Sequence, residues 1–394
     1  PESTGNEYRI TVFLIDDQPI VGTAVEKMLA AEDDIDFHYC QDPSKAIEMA
    51  VDVSPTIILQ DLIMPEIDGL TLVKFYRAHP KLKDVPLIVL SSKEEAETKA
   101  EAFEIGANDY LVKLPDKIEL IARIRYHSRG YINLLQRNAA YEALDKSRRE
   151  LASELDKAAD HVRSLLPSPL TDGPITTEWL FVPSAQLGGD SFGYHWIDDT
   201  HFALYLLDVC DHGVGPALLS VSVLDVLRFQ TLPNTDFLNP AEVLSSLNDN
   251  FQMESHNNLY FTFWYGVLDT VSMELTYASA GHPPALLLAE HGGVKELITK
   301  NMIIGGMEGM IYKADTVHLP PRFRLYVFSD GAYEVENYDE GMWSIRQFAG
   351  YLTESQSHGK DGIGELHGLL KDMCGKEILD DDLSLLMIEM KAGG

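Results

Sequence analysis

Carboxylates at the ends of apolar runs are the reactive groups that stand out in this 394-residue sequence. Asp16 and Asp17 follow "YRITVFLI", Asp61 ends "TIILQD", Ser91 closes "PLIVLS" and Lys113 ends "DYLVK". Brought to one edge, three acids, a hydroxyl and an amine make a set that scattered strand-end acids do not. A second set lies further on: Asp190 in "QLGGDSFG", Asp208 and Asp211 in "LLDVCDHGVGPALLS", Asp330 in "VFSDGAYE" and Asp380 to Asp382 in "LDDDLSLL". One such acid alone would be a turn or a cap. Four sites of the same type point to an oxygen-rich cluster suited to Mg²⁺ or Mn²⁺. Carboxylates shared between two ions hold them about 3.5–4 Å apart in phosphoester hydrolases. No Ser-His-Asp set and no nucleophilic cysteine is legible.

The surrounding pattern must carry these groups. Over residues 7–127 short apolar runs alternate with amphipathic ones such as "PIVGTAVEKMLAA", "PSKAIEMAVDV" and "EEAETKAEAFEIG", which predicts an α/β segment, a parallel sheet wrapped by helices. In such sheets chemistry gathers at the carboxyl ends of the strands. Over 128–168 the pattern is helical. Leu144, Leu151, Ala158 and Leu165 recur at heptad spacing, with Leu155 and Val162 between them and Arg148 breaking the series. Two readings of this seam stand: a parallel dimer stalk, or a long amphipathic helix packed on its own protein. "LLPSPLTDGP" then ends the helix, and β-rich runs dominate 169–392.

The formal net charge of -31 argues against a nucleic-acid surface, because phosphate backbones are bound by clustered Lys and Arg. Cys40, Cys210 and Cys374 are too few and too scattered for a zinc ribbon or disulfide framework, so a cytoplasmic location is expected. No apolar stretch approaches the roughly 18 residues of a membrane span. The opening "PESTGNEYRI" has no signal-peptide pattern.

The first segment resembles the receiver domain of two-component response regulators. The resemblance rests on the Asp16–Asp17 pair, Asp61 followed by "LIMPEIDG", Ser91, Tyr110 and Lys113. It implies a doubly wound fold on a five-stranded parallel sheet, and Mg²⁺ held by Asp16, Asp17, Asp61 and the Ile63 carbonyl, with Asp61 as the site of phosphorylation. A carboxylate attacking phosphorus is repelled by the phosphoryl oxygens unless a cation and an ammonium neutralise them. It further implies Ser91 and Tyr110 as switch residues, Lys113 as the phosphate-pairing lysine, and a sensor histidine kinase or phosphotransfer protein as donor. "KLP" sets one more residue between lysine and proline than the family pattern, so an altered proline geometry is expected there.

The third segment resembles the metal-dependent PPM protein phosphatases, closest to the bacterial branch of sporulation and stress-response phosphatases. The second acid set carries this resemblance together with "LLPSPL", "FWYGVLD" and "SAGHPPALLL". It implies an α/β/β/α sandwich binding two Mg²⁺ or Mn²⁺ through Asp190, Asp208, Asp330, Asp381 and the Val209 carbonyl. Asp208 would bridge the ions, and Asp190 and Asp208 would be the principal catalytic residues. The implied reaction is in-line hydrolysis of phosphoserine or phosphothreonine, with a phosphorylated anti-anti-sigma (STAS-type) protein as substrate. His212 is read either as an acid or as support for its loop, and His282 as structural. Two departures stand out: Asp211 replaces a usual glycine, and Gly193 replaces a frequent second aspartate. They motivate a rival expectation, a signalling scaffold that sequesters partners without turnover. The leading expectation is a cytoplasmic homodimer whose phosphatase is controlled by Asp61.

Overall fold

A computed structural model describes residues 9–390, except 66, 93–95, 290–292, 338–340, 358–361 and 377–378. The opening stretch that bears on a signal peptide, and the first two residues of the helix expected from Glu94, therefore lie outside the described residues. The chain forms two compact units, Pro1–Arg149 and Glu150–Gly394.

In the first unit, strands β1 (Ile10–Ile15), β2 (Ile35–Cys40), β3 (Ile57–Asp61), β4 (Leu87–Ser91) and β5 (Asp109–Val112) form one parallel sheet in the order β2-β1-β3-β4-β5. Helices α1 (Pro19–Leu29), α2 (Ala46–Val53), α3 (Gly69–Ala78) and α4 (Ala96–Glu104) connect them. The strands read as continuous apolar runs because both faces are covered. Val12 and Leu14 join one core, with Leu59, Leu90 and Leu120, while Phe13 and Ile15 join the other, with Ile58, Val89 and Tyr76. Strand β2 and helix α3 escape the apolar-run reading. In β2, an edge strand, only Ile35 and Cys40 are buried, and helix α3 follows directly on the acid-bearing loop.

Helix α5 (Lys117–Ser164) covers the end of the segment read as 7–127 and most of that read as 128–168. Its first turns are buried by Leu120, Ile121 and Ile124, whereas Leu144 and Leu151 are largely exposed.

The second unit is built from two antiparallel sheets. Strands β6 (Ile175–Val182), β7 (Ser191–Trp196), β8 (His201–Val209), β9 (Phe261–Asp269), β10 (Glu274–Ala280), β11 (Ala285–Ala289), β12 (Val294–Leu297), β13 (Asp315–His318), β14 (Phe323–Phe328) and β15 (Leu383–Met390) take the orders β13-β10-β9-β8-β7 and β12-β11-β14-β15-β6. Period-two alternation assigns the faces. Phe202, Leu204 and Leu206 of β8 pack between the sheets with Trp264, Leu325, Val327, Leu386 and Ile388. Their alternates Ala203, Tyr205, Leu207 and Val209 face helices α6 (Val214–Arg228) and α7 (Pro240–Asn250). On the far side, Leu383, Leu385 and Met387 pack on α8 (Ile345–Ser357) and α9 (Gly362–Cys374). The result is an α/β/β/α sandwich. The sequence reading lacked α8 and α9. Three glycines in "GIGELHGLLKDMC" lower the helical propensity of α9, and packing on the sheet overrides it.

Candidate functional site

The 2-1-3-4-5 strand order reverses between β1 and β3, and open α/β sheets bind ligands at such a switch point. Asp16 and Asp17 follow β1 and Asp61 ends β3, so topology alone brings them together. Their carboxylates supply ligand atoms that lie within 4.8 Å of one another. Asp16, Asp61 and Ser91 are fully buried. The Lys113 ammonium reaches this cluster from the end of β5, 2.7 Å from Asp61 Oδ2 and 3.0 Å from Asp16 Oδ2. Burial raises the pKa of Asp61, and the hydrogen bond from Lys113 opposes that rise. Burial works against the charge on Lys113, but hydrogen bonds to Asp61 and Asp16 outweigh it and raise the pKa. The Ile63 N–H donates to Asp61 Oδ1 at 3.2 Å, which sets the backbone of the loop beside the acids. Tyr110 is buried, with the Lys99 ammonium 5.2 Å from its ring centre. In "KLP" no peptide bond is cis, and Leu114 itself takes a left-handed φ of 56°. Three acids with ligand atoms at cation-ligand spacing, and a buried Asp17 Oδ1 without a hydrogen-bond partner, fit a divalent ion.

The second acid set gathers at one end of the sandwich, between the sheets. Asp208 stands directly across from Thr262 on β9, and its side shares the inter-sheet face of Leu206 and Leu204. Asp190 precedes β7, on the face of Phe192. From the opposite sheet, Asp330 opens a short 3-10 turn after β14, and Asp381 lies just before β15. Strands from two sheets thus deliver acids to one place.

The electrostatics follow from this crowding. Asp190 is buried, and the Ser329 and Ser384 hydroxyls near its carboxylate do not reach good hydrogen-bond geometry with it. Burial, then the charges of Asp208 and Asp382, push its pKa well above the ordinary carboxylate value. Burial and then Asp330, Asp381 and Asp382 push Asp208 up to about 7. Burial, Asp381 and Glu334 push Asp330 up to about 6, and burial also raises Asp381. Buried carboxylates are costly unless paired or coordinated. Among the described residues no three of these acids place ligand atoms within 4.8 Å of one another, in contrast to the receiver triad. The donor set, all oxygen, suits hard cations.

The acid run after residue 379 divides its labour. Asp380 is exposed and pairs with Lys376, Asp381 faces the other acids, and Asp382 is buried and hydrogen-bonded to the loop before Asp190. Sequence reasoning did not separate Asp382. Its parity with Ser384, Leu386 and Ile388, which puts it on the inter-sheet side, was the available signal. His212 is exposed beside the acids, and its N–H donates to Asp211 Oδ1 at 2.8 Å. Asp211 takes φ 70°, the left-handed region where glycine is favoured, so the departure from glycine keeps the loop shape at some backbone cost. A side chain at Gly193 would meet the Tyr205 ring at 2.5 Å, so an aromatic ring occupies the space of the absent aspartate. His282 is buried with Nδ1 3.0 Å from the Pro283 carbonyl, and burial lowers its pKa to about 4.

These shifts make a pH prediction. Asp208 and Asp330 have folded-state pKa values above the 3.8 of an unfolded chain, so the metal-free fold binds more protons than the unfolded chain. The contribution of these two protonated acids to its stability is fully present below about pH 4 and is lost as pH rises through about 6 to 7. Divalent ions need the ionised carboxylates and compete with those protons. The rise in Tm produced by Mn²⁺ is therefore expected to be larger at about pH 8 than at about pH 5.5. Thermal unfolding at both values checks this, and a Tm rise independent of pH contradicts it.

Residues 12–125 match the family model of the response regulator receiver domain, and residues 198–391 match that of stage II sporulation protein E (SpoIIE). The chain thus joins a response regulator receiver domain to a domain of the SpoIIE family. Among curated relatives, the phosphoserine phosphatase RsbP of Bacillus subtilis (strain 168) is 27% identical over 185 residues, covering 46% of this chain and 45% of RsbP. The phosphoserine phosphatase RsbU of the same strain is 27% identical over 255 residues, 64% of this chain and 74% of RsbU. The chain therefore spans about half the length of RsbP. Among solved structures, the SiaA-PP2C domain of Pseudomonas aeruginosa superposes with a TM-score of 0.54 at 19% identity, over 62% of this chain and 99% of that domain, a likeness of fold. No described helix is long and apolar enough to cross a membrane.

Proposed function

We propose that this chain is a protein-serine/threonine phosphatase governed by phosphorylation of its receiver domain at Asp61. The observation that carries the hydrolase half is Asp190: a buried carboxylate with no cationic side chain beside it among the described residues and no hydrogen bond of good geometry, next to Asp208, which in turn faces Asp330 and Asp381 from the other sheet. A scaffold that merely captured partners would have no use for such a cost. Asp190, Asp208, Asp330, Asp381 and the Val209 carbonyl would hold two Mg²⁺ or Mn²⁺. When bound, such a pair supplies Lewis acidity toward phosphoryl oxygens and a nucleophile at neutral pH. The chain's own part is to hold those carboxylates at strand ends, where burial and mutual repulsion make neutralising cations favourable. Phosphoserine or phosphothreonine in a protein is the substrate class, as the names of RsbP and RsbU support for phosphoserine. A phosphorylated anti-anti-sigma protein of STAS type is the reading we favour.

In the receiver, Asp16, Asp17, Asp61 and the Ile63 carbonyl would hold Mg²⁺. Asp61 attacks the donor phosphorus, a new O–P bond forms, and the bond to the kinase histidine breaks. Lys113 balances the added charge, and Ser91 and Tyr110 respond to it. The cytoplasm is the compartment we assign. Phosphate release from a phosphoserine protein, requiring Mn²⁺ and abolished by chelation, tests the hydrolase reading. Metal-independent release would overturn it.

The exposed Leu144 and Leu151 on α5 support a homodimer through this helix. Leu151→Asp is expected to convert a dimer to a monomer in light scattering with each unit still folded. A wild-type chain that is monomeric at every concentration refutes the pairing.

A further inference from the structure

We infer that Asp382 is the positioning residue of the hydrolytic site, holding the neighbours of three proposed ligands in register while taking no ion itself; the inference rests on the phosphatase reading above. Its carboxylate is committed to the loop before Asp190. Oδ1 accepts from the Ser184 N–H at 2.7 Å and the Ser184 hydroxyl at 2.8 Å. Oδ2 accepts from the Gly189 N–H at 2.6 Å and the Asp190 N–H at 3.3 Å. Its main chain reaches the other acids: the Asp382 N–H donates to Asp381 Oδ1 at 2.8 Å, and its carbonyl accepts from the Ser329 hydroxyl at 3.1 Å, next to Asp330.

A second, independent feature points the same way. A Cβ at Gly188 would lie 2.3 Å from Asp382 Oδ2, so glycine is required there for the loop to approach the carboxylate. Asp382 is 4% exposed, and its partners lie almost 200 positions away in sequence. One carboxylate therefore ties the loop of the first sheet to the strand start of the second. Outer groups that orient ligand carboxylates typically change metal affinity 10–100-fold when removed.

The test compares wild type, Asp382→Asn, Gly188→Ala and Asp208→Asn, all carrying Asp16→Asn and Asp17→Asn so that the receiver takes no ion, by Mn²⁺ titration calorimetry, with Tm in chelator as a separate readout. In Asp382→Asn an amide NH₂ meets N–H donors on one side, so the loop must shift. We expect the Mn²⁺ dissociation constant to rise roughly 10–100-fold in Asp382→Asn and Gly188→Ala. In turnover at saturating Mn²⁺, both variants are expected to lose kcat with little change in KM. If both keep the wild-type Mn²⁺ constant within about threefold while Tm falls, Asp382 is only a structural tie and the inference is wrong. If Asp382→Asn fails to fold, Gly188→Ala decides by the same criterion. Wild type that binds no Mn²⁺, or Asp208→Asn that binds as wild type does, overturns the phosphatase reading instead and removes the basis of this one.

Discussion

Asp208→Asn is expected to lower phosphate release by about 10²–10³-fold or more, in the range seen when one electrostatic stabiliser of a transition state is removed. The substitution conserves shape and removes a charge from the most crowded part of the site. Asp208 lies on the end of β8, on the inter-sheet face, where burial and three neighbouring acids already hold its pKa near neutrality at about 7. The same crowding produces an opposite effect on stability. In chelator at about pH 8 the wild type carries mutually repelling carboxylates that the variant relieves, so Tm of Asp208→Asn should equal or exceed that of wild type. Loss of turnover with no loss of stability separates a functional acid from a structural one. Turnover within about tenfold of wild type, measured by phosphate release in Mn²⁺, would sink the metal-centred assignment.

Asp61→Asn is expected to abolish phosphoryl labelling by a small acyl phosphate donor, read as the loss of the added mass in intact protein. Asparagine keeps the fold of the loop but has no nucleophilic carboxylate oxygen. It also leaves Lys113 with Asp16 as its remaining carboxylate in this cluster. A phosphoryl group adds about -1.5 to -2 charges at neutral pH, placed here in a fully buried setting beside an ammonium 2.7 Å away. Any change in phosphatase turnover on labelling should vanish in Asp61→Asn. Ser91→Ala should still be labelled but lose most of that change. Labelling of Asp61→Asn to the wild-type extent would move the acceptor to another residue.

Much of the architecture was legible from local pattern. Strands β1, β3 and β4 are covered on both faces, so they read as unbroken apolar runs, and the acids and the serine at their ends were visible as exceptions. In the sandwich, "HFALYLLDV" coincides with β8 because alternate residues serve two different cores, both of them apolar. Strand β2 was less clear because an edge strand need not be apolar throughout, and α9 because its glycines mask a helix that packing enforces.

What each acid does was a tertiary decision. "LDDDLSLL" offers three adjacent aspartates of identical chemistry, yet one pairs with Lys376 in solvent, one faces the acid cluster and one clamps a distant loop. Gly193 reads as a missing acid, but the Tyr205 ring already fills its space. Amino-acid type and period-two spacing determined which side chains stand at strand ends, because those signals act over a few residues. Which carboxylates meet, and which are taken up by backbone N–H groups, was determined only when two sheets closed on each other, because those partners lie on segments far apart in the chain.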